Sequence, residues 1–344
     1  MIYNDKSLIT IIGNGFDIAH GLKTSYNDFM SSIEKELREL NYQQTDQDGL
    51  KVCTFKEADG KINKPNLYLK QKRGTSDYTL TANNGSTFLR ILIERQNKTG
   101  KWSDLESLYY EILKKSSDPK LSGRIKSINE EFEYLKDKLE EYLFREIESK
   151  LKLDNNIISK SKIFQQLEKD IKLCYKNYYF ITFNYTSKLL ERYIELLQKF
   201  ITGNQTIHKP IYIHGKLNDI KNPIIFGYGD DNSSEYQNLQ NIINNDLLVN
   251  FKTFQYLKTI NYRMIQGILE IDQYKVNIIG HSCSLCDKTL LRSIFQHRNI
   301  KTIKAFYHSN ESFFFENIYN ISRIFDENSM MRTKIDPLEK TAML

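Results

Sequence analysis

The chain has 344 residues, room for one large domain or two ordinary ones, and 40% hydrophobic residues, enough for a core. A net charge of +6, interleaved with many acidic residues, is too mild for a nucleic-acid footprint, and no specific nucleic-acid partner is expected. Four cysteines, no secretory pattern in residues 1–5 and no apolar run of membrane-span length lead us to expect a reducing, cytoplasmic setting and no membrane partner.

Residues 8–12, Leu-Ile-Thr-Ile-Ile, read as a short buried strand. The run stops at Gly13-Asn14-Gly15, where two glycines allow a tight turn and close approach of a ligand. Residues 16–21 can start a helix whose free N–H groups point back at that turn, an arrangement suited to a phosphate or diphosphate. A Rossmann fingerprint would place a third glycine at position 18, but the chain has Ile18, and Gly21 follows three residues later. His20-Gly21-Leu22, Tyr26, Asp28 and Phe29 read as a polar and aromatic loop.

A short helix is expected over 31–40, with Ile33 and Leu37 on one face. Turn signals at Asp46 to Gly49, Ala58-Asp59-Gly60 and Asn83-Asn84-Gly85 break up 41–97, which reads as an insertion with little regular structure beyond a short hairpin. Helices follow at 102–113 and 124–151, the second with Ile125, Ile128, Phe132, Leu135, Leu139, Leu143, Ile147 and Leu151 at helical spacing. It is expected to pack on the domain as a solvated amphipathic helix.

Further strands are expected at 178–183, 211–213, 223–226, 276–279 and 300–307. Helices are expected at 188–200, capped by Ser187, and at 251–270, 289–295 and 312–325. This rhythm predicts an α/β fold, a Rossmann-like parallel sheet with helices on both faces. The expected division is 1–40 and 171–325 for the α/β domain, 41–170 for a partly helical insertion, and 326–344 for a tail without pattern. The insertion is expected to give no strand to the centre of the sheet, and to carry regulation or self-assembly.

Five strand ends carry polar or glycine-bearing loops: Gly13-Asn14-Gly15, Asn184, His214-Gly215, Gly227 to Asp231, and Gly280 to Asp287. In open α/β sheets ligands bind outside the carboxyl ends of the strands, so these loops would share one rim. Asn184 offers both a donor and an acceptor, for ribose hydroxyls, for a water, or for capping its own helix. His214 can move a proton near neutral pH. Asp17 and Asp287 could accept from an adenosine ribose or cap local helices, and capping is the favoured role for Asp287. His20 and His281 flank the rim as contact residues at most. Cys283 and Cys286 read as small buried packing residues. With only Cys53 and Cys174 elsewhere, a four-cysteine zinc ribbon cannot be built, and neither structure nor activity is expected to need zinc.

The segments IIGNGFDIAHGLKTSYNDF, WSDLE, ITFNYT, IHGKL, IIFGYGDD and IIGHSCSLCD resemble the AbiH family of bacterial abortive-infection proteins over most of the chain. That family is similar to the sirtuin-like fold, whose members bind NAD on a Rossmann-type sheet. The resemblance implies a glycine loop at Gly13, Asn14 and Gly15, and a cofactor-binding loop reaching Tyr26, Asp28 and Phe29. It also implies an asparagine block at Asn184, a catalytic histidine-glycine at His214-Gly215, and a cofactor contact at Gly280 and Ser282. It implies anti-phage defence by hydrolysis of NAD, with Asn184 and His214 catalytic and NAD as substrate, not as a prosthetic group. A nucleotide sensor without chemistry and a zinc-free deacylase are the alternatives. Expected partners are NAD or a related nucleotide, a second copy of the chain, and a phage trigger or partner defence protein.

Overall fold

Six residues with every side chain buried form β1 (Ser7–Ile12), the strand on which the main sheet is built. The computed structural model describes residues 7–39, 43–54, 67–83, 85–95, 100–115, 123–173, 175–231 and 233–344. The turn signal at Ala58-Asp59-Gly60, together with Asn84, Leu40 and Cys174, lies outside the described residues. Strands β2 (Gln43–Thr45), β3 (Lys51–Thr54), β4 (Leu67–Gln71) and β5 (Tyr78–Ala82) come next. They are followed by β6 (Asn177–Thr182), β7 (Thr206–Ile207), β8 (Ile211–Tyr212), β9 (Tyr274–Ile279) and β10 (Ile300–Ala305).

The main sheet is six-stranded, in the order β10-β9-β1-β6-β7, with β8 also pairing β6. Every pairing in it is parallel. From β1 the chain builds outward through β6, β7 and β8 on one side, then returns to lay β9 and β10 on the other. The β1/β9 boundary is therefore the topological switch point. Side chains alternate between two apolar layers, as the period of two requires. Ile9, Ile11, Tyr179, Ile181, Val276 and Ile278 face one layer, with helices Asn261–Ile271 and Lys288–Phe295. Leu8, Ile12, Tyr178 and Phe180 face the other, with helices Lys162–Ile171 and Lys188–Leu197. This is the Rossmann-like α/β architecture the strand-helix rhythm predicts.

The chain forms two compact units. One comprises Met1–Lys23, Leu143–Tyr236 and Phe251–Leu344, and the other Thr24–Tyr142 and Gln237–Asn250. These boundaries differ from the expected 41–170, because the second unit takes in helix Tyr26–Glu39 and a later segment, and gives up residues from 143 onward. Where little regular structure is expected, the second unit holds a four-stranded antiparallel sheet, β2-β3-β4-β5. Its strands alternate around turns, with Leu67, Leu69 and Leu80 buried. The predicted loop at Tyr26, Asp28 and Phe29 is instead the first turn of helix Tyr26–Glu39. Ser25 and Asp28 start that helix reciprocally: Asp28 N–H donates to Ser25 Oγ at 3.1 Å and Ser25 Oγ donates to Asp28 Oδ2 at 2.5 Å.

Other differences have local causes. Residues 223–226 form no ladder although Ile224, Ile225 and Phe226 are buried; Ile225 N–H donates to the His214 carbonyl at 2.7 Å and joins no strand. The predicted 251–270 helix breaks at Thr259, whose backbone is extended, leaving Lys252–Gln255, a 3-10 turn at Tyr256–Lys258, and Asn261–Ile271. The tail is ordered: helix Asn328–Lys334 follows, and Leu344 N–H donates to the Tyr307 carbonyl at 2.9 Å. Helix Lys188–Leu197 is not capped by the Ser187 side chain. Glu148 Oε1 does this from a π-helical turn, Leu143–Glu148, accepting from Ser187 N and Lys188 N at 3.0 Å each.

Candidate functional site

The loops after β1 and β9 meet at the switch point, and glycine is what lets them meet. A Cβ on Gly13 would lie 2.5 Å from His281 Cα, and one on Gly15 2.8 Å from Gly280 Cα. Gly280 itself has φ +67, and its Cβ would fall 2.2 Å from Phe16 N. Gly280→Ala is therefore expected to cost about 3 kcal/mol or more, from backbone strain and overlap together. A urea-unfolding midpoint equal to the parent's would refute this account of the corner. The same contacts use up the N–H groups that the turn was expected to offer. Gly13 N–H donates to the Ile279 carbonyl, Gly15 N–H to the Gly280 carbonyl, and Phe16 N–H to the Gly13 carbonyl, at 3.0, 2.8 and 2.9 Å. The two glycine N–H groups tie this loop to the end of β9 and Phe16 N–H closes the turn on itself, leaving none of the three hydrogens for a diphosphate.

Two polar clusters occupy the strand ends. The first joins the ends of β1 and β6. Thr186 Oγ1 donates to Asp17 Oδ2 at 2.5 Å, and the Asn184 side chain acts with it to lower the Asp17 carboxyl. Asn184 N–H donates to Thr182 Oγ1 at 3.1 Å, while its side-chain Oδ1 is buried without a partner. Burial raises the Asp17 carboxyl to about 7; the Glu148 charge adds to the rise, and the bonds from Thr186 and Asn184 oppose it. The second Glu148 oxygen, Oε2, is likewise buried and unpartnered.

The second cluster joins the ends of β8 and β9. Asp287 receives Lys252 Nζ at 2.7 Å and His214 Nε2 at 3.2 Å on Oδ1, and His281 Nε2 at 3.4 Å on Oδ2. Cys283 N–H donates to His281 Nδ1 at 3.0 Å, so a neutral His281 carries its proton on Nε2, toward the carboxylate. Phe183 packs against both histidine rings. Burial works to raise Asp287, yet Lys252, His214 and His281 hold it well below the ordinary carboxylate range. Burial and the Lys252 charge lower His214 to about 4. His214 is therefore neutral at pH 7 and accepts a proton only weakly, in place of the near-neutral titration expected of a free histidine.

The other expected residues fall as follows. Asp287 stands at the start of helix Lys288–Phe295 but makes no side-chain cap, because its carboxylate is committed to Lys252 and the histidines. Gly215, with φ +87, admits the Pro223–Ile224 backbone, where a Cβ would meet the Pro223 carbonyl oxygen at 2.2 Å. Ser282 is exposed, and its carbonyl accepts from Asn320 Nδ2 at 2.8 Å. Asn14 is half-buried in the first turn of helix Asn14–Ala19. His20 is a packing residue: Nδ1 donates to the Phe16 carbonyl at 2.7 Å, and Nε2 accepts from the Tyr193 hydroxyl. Tyr26 and Phe29 are buried in the second unit against Trp102. Cys283 and Cys286 are fully buried free thiols, and burial pushes the Cys283 thiol up.

Lys252, Thr186 and Glu148 are the site residues that sequence reasoning missed. Lys252 reads as one of many helix lysines. Thr186 and Glu148 have no partner within reach along the chain. Among the described residues no group of three His, Cys, Asp or Glu side chains could hold a metal ion, and no helix is long and apolar enough to cross a membrane. The chain matches no curated protein. A family model described as bacteriophage abortive infection AbiH matches residues 9–309 of the 344, and the chain belongs to that family.

Proposed function

We propose that the chain serves phage abortive infection, the role its family points to, by hydrolysing NAD to ADP-ribose and nicotinamide. The observation that carries this reading is the first cluster. A buried amide oxygen, Asn184 Oδ1, stands without a partner beside a carboxyl, Asp17, whose protonation changes near pH 7. Titratable groups perturbed by burial and buried polar atoms without partners are both features of functional sites. Breaking the nicotinamide–ribose bond builds positive charge on the sugar, and the acceptors gathered here, Asp17, Glu148 and Asn184, favour it. The bond is already activated by the positive ring, so the site has mainly to place the ribose and a water. The water's oxygen bonds to the ribose carbon as the nicotinamide nitrogen leaves with the bonding electrons. The proton the water gives up goes to Asp17 or to solvent.

A sensor that binds the nucleotide without turnover is the second reading. It draws on the second cluster, where His214, Asp287, Lys252 and His281 already satisfy one another. The test is to incubate the purified chain with NAD, alone and with extract of phage-infected cells, and to follow nicotinamide. Nicotinamide release is the expected result. NAD that is retained but not consumed would establish the sensor reading, and acyl release from a lysine peptide would move the reaction to a deacylase.

A further inference from the structure

Helix Asn261–Ile271 is apolar on two faces, and only one of them is buried. Ile265 and Leu269 on the inner face lie in the core beside the sheet. On the outer face, Ile260 at the N-cap, Met264 and Ile271 are 65%, 46% and 61% exposed. With Gly267, also exposed, they recur at spacings of four, three and four residues, which is one stripe along a helix. Asn261 Nδ2 donates to Asn222 Oδ1 at 3.0 Å and so holds the turn carrying Ile220, another exposed apolar side chain, near the start of that helix. Scattered exposed apolar side chains are ordinary, but an ordered row of them marks an interaction surface. Gly267 is the informative member. Glycine weakens a helix interior, and a Cβ here would meet nothing within 4 Å, so no contact inside the described chain calls for it.

The stripe has the same spacing read in either direction, so it can pair with itself. We propose that this face joins a second copy of the chain, through antiparallel helices related by a two-fold axis level with the peptide between Ile265 and Gln266. Met264 then enters the hollow at the partner's Gly267, and Ile260 meets the partner's Ile271, each contact occurring twice. Arg263 and Glu270 stand on one flank of the stripe. This symmetry brings like flanks together, so Arg263 and the partner's Glu270 lie within about 3 Å of rise of each other. Glu270 already accepts from Arg298 Nη2 at 2.5 Å and His297 Nε2 at 3.2 Å, but it is exposed, and a carboxylate has room for a further donor. A stable dimer draws roughly 800 Å² from each partner, with an apolar centre and a polar rim. The stripe supplies the centre and this charge pair part of the rim. Flanking charges of both signs suit a second copy better than an anionic membrane.

Sedimentation equilibrium of the full chain is expected to show a monomer–dimer equilibrium. Met264→Asp should weaken association about a hundredfold or more, by burying an unpaired charge in each copy. Gly267→Leu, which fills the hollow, should weaken it about tenfold or more. Both positions are exposed in the single chain, so the circular dichroism and urea midpoint of the dilute variants should match the parent's. Arg263→Glu should weaken association about fivefold, and adding Glu270→Arg should recover most of the loss. Ile157→Asp, at an exposed position on helix Asn155–Lys160, should change nothing. A parent that stays monomeric up to about 1 mM overturns the proposal. So does a dimer that Met264→Asp and Gly267→Leu leave intact, or a monomer that sediments with vesicles of anionic lipid. A dimer lost in Met264→Asp but unmoved by Arg263→Glu overturns the antiparallel pairing. None of these measurements involves NAD, so the interface stands or falls separately from the proposed reaction.

Discussion

Asn184→Ala is expected to fold as the parent does and to lose roughly a hundredfold to ten-thousandfold in NAD turnover, the range for removing one positioned polar group. The side chain contributes little to the core: it follows Phe183 at the end of β6 and leaves its own Oδ1 unsatisfied. Truncation removes that buried, unpaired oxygen together with the amide's influence on Asp17, so stability should move by less than about 1 kcal/mol. His214→Ala differs in kind. It takes one of three partners from the buried Asp287 carboxylate and is expected to lower stability as well as rate. Comparing the two separates chemistry from scaffolding. If Asn184→Ala turns NAD over at the parent's rate, the first cluster is not the reacting site. The acid limb carries a second check. Burial and the Lys252 charge hold His214 down to about 4, so its protonation does not account for a loss of activity between pH 7 and pH 6, whereas Asp17, raised by burial to about 7, changes protonation in that range.

Much of this arrangement is legible in the sequence because burial and period leave a local signature. Strands β1, β6 and β9 are largely apolar runs and β10 carries apolar residues among lysines, and the parallel sheet follows from their alternation with helices. The strand ends at Asn184, His214 and Gly280 are legible for the same reason. What cannot be read locally is who meets whom. Residues 223–226 have a strand's apolarity, but their backbone goes to His214 and builds no ladder, so burial alone misleads there. Gly13 and Gly15 signal close approach, and close approach is what they provide, though to the loop of Gly280. Glu148 looks like one more acid on an amphipathic helix until the chain folds it onto the start of helix Lys188–Leu197. Glu131 does the same in the second unit, accepting from Thr87 N and Leu89 N at 3.0 Å each. Both carboxylates are distant caps, and no capping box in the sequence announces them.

Lys252→Met is expected to be the most destabilising single change at the second cluster. Lys252 is fully buried, and its Nζ lies 2.7 Å from Asp287 Oδ1, so Met keeps the stem's volume while removing the charge. Asp287 would remain a buried anion whose two other partners are histidines, and breaking a buried pair in this way costs about 3–5 kcal/mol. The loss should depend on pH. The Lys252 charge is one of the causes lowering His214, so its removal lets His214 rise and take up a proton beside Asp287. A group whose folded-state pKa rises contributes stability at low pH and loses it as pH climbs through that value. The deficit of Lys252→Met should therefore be smaller near pH 5 than near pH 8. Pairing it with Asp287→Asn removes both charges, and should restore most of the stability at pH 8, since replacing both partners costs far less than stranding one. Urea unfolding of the two variants at both pH values measures each term. An equal deficit at both pH values, with no recovery in the double variant, would mean that Lys252 acts through packing and that the charge network does not hold the ends of β8 and β9 together.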